Sequence, residues 1–262
     1  MVNNFIIDRV LRGIMTKKNG EYMWSINQIT NPSLNVALSD TSQAVDALGT
    51  VIQEFDRGRT AEFSAENSIF DLSLYAAQMG RDVEVASGTA KIVVPAFETI
   101  DVAGTPDETY VTKKQPKEEI AKIYALNGDG TLGTAYENGG AASDTEFAYD
   151  HGTHTINLPT NLVAGSQLFV MYEYESEKAT AVTANAIDFP KAGKFILEVL
   201  GTTVCDPDTL VHCYLVFPSA KLDGNVDYTF ATDGTHPFTI RALQDYCDKE
   251  KRLFTLIVPE EN

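Results

Sequence analysis

VDALGTVIQEFDRGRTAEFSAENSIFDLSLYAAQMG, residues Val45 to Gly80, reads as two extended segments followed by a capped helix. Leu48, Val51 and Phe55 sit among turn-forming and polar residues. From Thr60 to Ser64, Ala61 and Phe63 alternate with polar neighbours, the period of a half-buried strand. A hairpin-like sheet element is the expected product. Ser68 stands three residues before Asp71 as a capping-box-like opening, Phe70, Leu74 and Ala77 recur at helical spacing, and Gly80 offers a left-handed stop. The stretch predicts a scaffold and brings together no side chains able to do chemistry.

Outward from it the pattern stays mostly β. Val2 to Met15 reads as an extended arm or first strand, and Glu21 to Ile29 as a strand with Tyr22, Trp24 and Ile26 on one face. Lys91 to Phe97 is a short apolar strand that Pro95 confines to an edge or a strand end, because proline cannot donate to a ladder. Glu98 to Lys117 is polar, carries Pro106, Pro116 and the pair Lys113 and Lys114, and reads as a linker or long loop. From Glu118 short hairpins follow. Ile120 to Ala125 alternates, Asn127 to Gly130 supplies a tight turn of type I′, and Thr155 to Leu158 and Leu168 to Tyr174 continue the alternation. The expected organisation is a discontinuous β domain over 1–117 and 177–262 with a small inserted β-sandwich, Ig-like, over 118–176. Beyond the insert, Phe195 to Leu200, Leu210 to Pro218, Asp227 to Ala231, Phe238 to Ala242 and Leu253 to Val258 read as further strands.

A chain of 262 residues, 44% hydrophobic, has room for one large β domain or two smaller ones. Its 37 acidic and 20 basic residues leave a formal charge of −17, which argues against phosphate-backbone binding; DNA is tolerated or repelled. Cys205, Cys213 and Cys247 form neither a CxxC pair nor an even framework, so free thiols in a reducing compartment are expected. Asp8 and Arg9 break the apolar run of the N-terminus, so no secretory signal is expected there. No run reaches the roughly 18 apolar residues of a membrane helix, so no membrane partner is expected.

The candidates for chemistry are few. Asp150, His151 and His154 lie within five residues, yet on a strand 151 and 154 face opposite ways and no further ligand stands near; the expected reading is a turn with exposed histidines. Asn127-Gly-Asp129-Gly lacks the alternating carboxylates and closing glutamate of a calcium loop. His212 and Cys213 are strand neighbours facing opposite ways, giving one surface histidine and one core cysteine. Asp206 and Asp208 carry little information in so acidic a chain. No nucleophile elbow, P-loop or GxGxxG opens a helix. No catalytic, cofactor-binding or metal residue is assigned, no cofactor is expected, and the chain is read as no enzyme.

The segment LGTVIQEFDRGRTAEFSAENSIFDLSLYAAQMG, with YLVFPSAKLDGNVDYTF (Tyr214 to Phe230) and a closing LFTLIVPEE, resembles the major tail tube proteins of tailed bacteriophages. More broadly it resembles phage virion proteins with a tube-type β-sandwich. The resemblance covers about half the chain, in two blocks flanking the expected insert. It implies a β-sandwich or half-barrel with a flanking helix, six copies joining strands into a ring, and rings stacked into a tube whose lumen conducts DNA without binding it. It implies a virion location after synthesis in the host cytoplasm. Its partners are copies of the chain and other tail proteins such as a terminator, baseplate or sheath. The arm Val2 to Met15 and the loop Glu98 to Lys117 would reach adjacent subunits or rings, the helix near Phe70 to Met79 would pack outside the sheet, and 118–176 would decorate the outer surface. A capsid decoration protein or an adhesin module, binding through 118–176, is the alternative; an enzyme is the third class, and the sequence nominates no pocket for it.

Overall fold

Two sets of alternating apolar residues close around two separate cores. The computed structural model describes residues 4–104, 107–204, 206–246 and 248–259. Within it the chain divides into a unit of residues 1–83 and 182–262 and a second unit of residues 84–181. The expected insert, 118–176, lies inside the second unit, which takes in the strand of Lys91 to Phe97 and the expected linker as well.

The first unit begins with β1 (Phe5–Thr16) and β2 (Tyr22–Ile26), then two strands of 17 residues, β3 (Ile29–Val45) and β4 (Val51–Asn67), and the helix α1 (Leu72–Gln78). After the second unit it resumes with β14 (Ala192–Thr203), β15 (Asp206–Leu222), β16 (His236–Ala242) and β17 (Thr255–Ile257). The sheet order is β2-β1-β14-β15-β16-β4-β3, with β17 on β15 beside β16. Phe195, Phe217, Phe63, Phe238, Trp24 and Met15 fill its core, and Phe195 stands at 5.8 to 6.2 Å, centroid to centroid, from the rings of Trp24, Phe63 and Phe217. Ile29, at the start of β3, packs on the same core as β1 and β2, so the sheet curls into a half-barrel at that end.

Val2 to Met15 is no free arm where it is described: β1 is paired with β14 from Phe5 to Thr16. Asp227 to Ala231 forms no strand, being irregular and rich in aromatic contacts. The helix starts later than expected. Ser68 still belongs to the exit from β4, its N–H bonded to the Gln28 carbonyl, and Asp71 is the N-cap, its carboxylate accepting from Ser73 N at 2.8 Å and Leu74 N at 2.9 Å. Gly80, at φ +73°, ends the helix as expected. Arg81 N bonds to the Ala76 carbonyl and Gly80 N to that of Ala77, the paired bonds of a Schellman cap. Leu74 buries the inner face of the helix.

The second unit holds β5 (Glu84–Val85), β6 (Ile92–Asp101), β7 (Thr109–Val111), β8 (Lys122–Leu126), β9 (Leu132–Asn138), β10 (Glu146–Asp150), β11 (Thr155–Asn157), β12 (Gln167–Ser176) and β13 (Thr180–Ala181). Seven of them follow the order β6-β12-β8-β9-β10-β11-β7, around Ile123, Phe147, Ile156, Leu168 and Val170. β6 is an edge strand, as Pro95 requires. Glu98 to Lys117 is not a linker. It contains the end of β6 and all of β7, and Glu98 itself is buried.

Candidate assembly surface

The β3–β4 hairpin outruns the core that anchors it. β4 pairs β16 only from Glu62 to Asn67, so from Val51 to Ala61 its one neighbour is β3, and β3 has no neighbour on its outer side among the described residues. Of the 17 residues of β3 only Ile29 and Ser42 are less than exposed. Leu34 and Val36 sit opposite Phe63 and Ala61 and share their core-facing side, yet they are 39% and 42% exposed, with no strand beyond β3 among the described residues. Further out Val45, Leu48, Val51, Ile52 and Phe55 are exposed as well, Leu48 at 91%. Apolar side chains thus continue along the hairpin past the core, exposed to solvent.

Side-chain hydrogen bonds run along the hairpin from its tip. At its tip Gly49, at φ +82°, donates to the Asp46 carbonyl, and the Asp46 carboxylate takes the N–H groups of Leu48 at 2.9 Å and Thr50 at 2.8 Å. Gly20 and Gly130 close the β1–β2 and β8–β9 hairpins with the same bond and sign of φ. The turn at Asn127 is therefore no type I′: Gly128 and Asp129 are not left-handed, and only the residue after them is. Along the shaft Arg57 reaches Ser42 at 3.1 Å and Gln43 reaches Glu54 at 3.2 Å, while register shifts near Asp40 give local bulges.

A second open edge lies at the other end of the order. β2 covers β1 only from Gly13 to Thr16, leaving residues 5–12 without a strand on that side among the described residues, with Ile6 and Ile7 exposed. Successive pairings from β1 to β3 are all antiparallel, so β3 runs opposite to β1. Both units have proline on an edge strand, Pro95 at mid-strand in β6 and Pro32 near the start of β3, where it blunts edge pairing at that end.

The polar residues singled out in the sequence are placed as structural groups. His151 and His154 lie in the turn between β10 and β11 rather than on a strand. His154 is half-buried, its Nδ1 3.0 Å from the Thr112 carbonyl, so only His151 is exposed. Asp150 holds that turn through Gly152 N and Thr153 Oγ1, and the Thr153 bond keeps its carboxyl below the usual range. Asp129 likewise accepts from Thr131 N and Oγ1, which lowers it. Cys213 is a buried free thiol, raised by that burial; Cys205 and Cys247 lie outside the described residues. His212 is surface-exposed and bonds Glu198 at 2.8 Å. The hydrogen bond from Arg12 lowers the Glu198 carboxyl against burial, and His212 adds to the effect. Asp206 begins β15, outside the residues whose side chains are described, and Asp208 is exposed.

Three features gave no usable signal in the sequence. The first is β3, whose Asn31, Pro32 and polar Ser, Asn and Asp residues mask the alternation. The second is Glu98, which accepts from the hydroxyls of Tyr110 at 2.6 Å and Tyr172 at 2.5 Å and from Lys113 N at 3.1 Å. Burial, then the bond to Glu98, pushes Tyr110 up to about 12. The third is His236, fully buried on β16. Among the described residues no group of three or more His, Cys, Asp or Glu is placed to hold a metal ion, and no helix is long and apolar enough to cross a membrane. An open cleft of about 370 Å³ between β2 and α1 contains Lys17 and Glu21, which pair with each other at 2.6 Å.

A family model, the YomU/Tube protein family, matches residues 5–255. No curated protein matches the chain.

Proposed function

The chain belongs to the YomU/Tube protein family, and from that premise we propose that it is a structural subunit of a phage tail tube rather than an enzyme. Copies join edge to edge into rings, hexameric in this reading, that stack around a lumen conducting DNA. The observation that carries the proposal is the β3–β4 hairpin, two 17-residue strands with one open edge and exposed apolar side chains that no strand among the described residues covers. Because β3 runs opposite to β1, a second copy in the same orientation can lay its β3 beside β1 residues 5–12 and continue an antiparallel ladder. That contact is head-to-tail, the kind that closes into rings when its rotation closes.

The charge of −17 suits a channel for DNA, because an acidic lining offers phosphates nothing to hold. Terminator, baseplate or sheath proteins are the further partners of such a subunit, and its place is the virion tail. The exposed sheet face of Phe97, stacked on Phe169 at 5.9 Å beside Met171, favours a second reading, a decoration or adhesin component that docks through the second unit. Size measurement by light scattering on the purified protein, with and without the paired substitutions Leu48→Asp and Phe55→Glu, tests the first. Oligomers that the substitutions dissolve support it, and oligomers indifferent to them favour the second.

A further inference from the structure

The polar cluster around His236 has no part in the assembly surface. The ring is fully buried. Its Nδ1 accepts the backbone N–H of Asp71 at 3.2 Å, so the ring proton belongs on Nε2, which donates to Gln78 Oε1 at 2.8 Å. The same Oε1 accepts the Tyr228 hydroxyl at 2.6 Å, and the Gln78 amide donates to the Pro237 carbonyl at 2.9 Å. Phe70 stacks on the imidazole at 4.8 Å and Tyr228 meets it edge-on at 5.2 Å. One neutral imidazole thereby ties together the cap of α1, the last residue of α1, the irregular chain around Tyr228 and the start of β16.

We propose that His236 is an acid-operated latch. A proton added at Nδ1 turns the acceptor that holds the Asp71 N–H into a donor, and the Asp71 carboxylate leaves Ser73 and Leu74 to receive it. The helix loses its cap and the chain around Tyr228 loses its hold on Gln78. The titratable and charged groups that face the ring are the Asp71 carboxylate, from the start of α1, and the Tyr228 hydroxyl, with Tyr75 behind it at 5.3 Å from Tyr228. Across the ladder, β4 presents the neutral Asn67. At neutral pH the latch stays shut, because burial holds the imidazole below its ordinary value and Asp71 offsets this only in part. The sign follows. The unfolded chain binds the proton more readily than the folded one, so stability contributed by the neutral ring is complete well above about pH 6.5 and is lost as pH falls toward the lowered folded value.

Trp24 is the chain's one tryptophan, is buried, and lines the same cleft as Ser73, Ala76 and Ala77 of α1, so its emission reports whether the helix is docked. The test follows Trp24 emission and amide exchange in α1 between about pH 7.5 and 4.5, beside the imidazole nitrogen resonances of His236. The latch predicts a ring carrying its proton on Nε2 at neutral pH. It also predicts a red shift on acidification, and protection factors at Tyr75 and Met79, corrected for intrinsic exchange, that fall by up to about tenfold per pH unit below about pH 6.5 and level off once the folded ring is protonated. His236→Asn keeps an acceptor for the Asp71 N–H and removes the titration, so its emission stays flat. The same acid transition in that variant, or a His236 that titrates in the natural protein without loss of α1 protection, overturns the latch. The nitrogen resonances and α1 exchange of the natural protein decide the matter if the variant does not fold.

Discussion

Replacing Glu98 measures what holds the second unit's β6, β7 and β12 together. The carboxylate is 5% exposed and receives two tyrosine hydroxyls and the Lys113 N–H, so it satisfies three donors at once, one buried and two part-buried. Glu98→Gln keeps one acceptor oxygen and the volume but exchanges charge-assisted bonds for neutral ones and turns a new N–H₂ toward one tyrosine. A loss of about 1–3 kcal/mol follows. Glu98→Ala removes every acceptor, and at about 1–3 kcal/mol for each donor left unpaired, with some relief from entering water, the loss is about 3–6 kcal/mol. With a urea slope of about 2 kcal/mol/M, the midpoint falls by about 0.5–1.5 M for glutamine and about 1.5–3 M for alanine. Near-UV circular dichroism is the assay, because Tyr110 and Tyr172 lie in the cluster. Variants that both unfold within about 0.3 M of the natural protein, or a glutamine variant no better than alanine, refute the reasoning.

Two further predictions rest on single contacts. Gly80→Ala puts a side chain on a residue at φ +73° whose added Cβ would lie 2.3 Å from the Phe189 carbonyl oxygen, so the loss exceeds the roughly 1 kcal/mol of an ordinary left-handed substitution; a melting temperature unchanged from the natural protein contradicts this. Glu198 is ionised more readily in the fold than in the unfolded chain, so its stabilising contribution is present above the ordinary glutamate value of about 4.3 and lost as pH falls through its lowered folded value. Arg12→Met therefore costs stability at neutral pH, and its deficit against the natural protein shrinks as pH drops toward about 3 in urea unfolding. A deficit constant across that range shows that Arg12 does not act through the Glu198 charge.

What could be read from the sequence follows what the chain buries. Ala61 and Phe63 alternate because β4 has one face on the core there, and Pro95 points to an edge for β6 because proline cannot donate to a ladder. The Gly80 stop was visible because a left-handed cap demands glycine. The cap lies three residues beyond the one the sequence suggests, since both Ser68 and Asp71 have capping side chains and only tertiary context chooses between them: Ser68 is still bonded to Gln28. β3 is hidden because periodicity records burial within one chain, and all of this strand but Ile29 and Ser42 is exposed. Glu98 reads as linker polarity because its partners, Tyr110 and Tyr172, come from 12 and 74 residues away. The tight turns are legible but their type is not, since Asn-Gly points to I′ while the position of the left-handed residue is fixed by loop length.

Electron microscopy of the concentrated protein tests the central claim most directly. Natural protein, alone or seeded with tail partners, should form rings and stacked tubes of one chain, and Leu48→Asp with Phe55→Glu should leave folded particles that do neither. Natural protein that stays monodisperse without rings or tubes, even when assembly partners are added, would contradict the account.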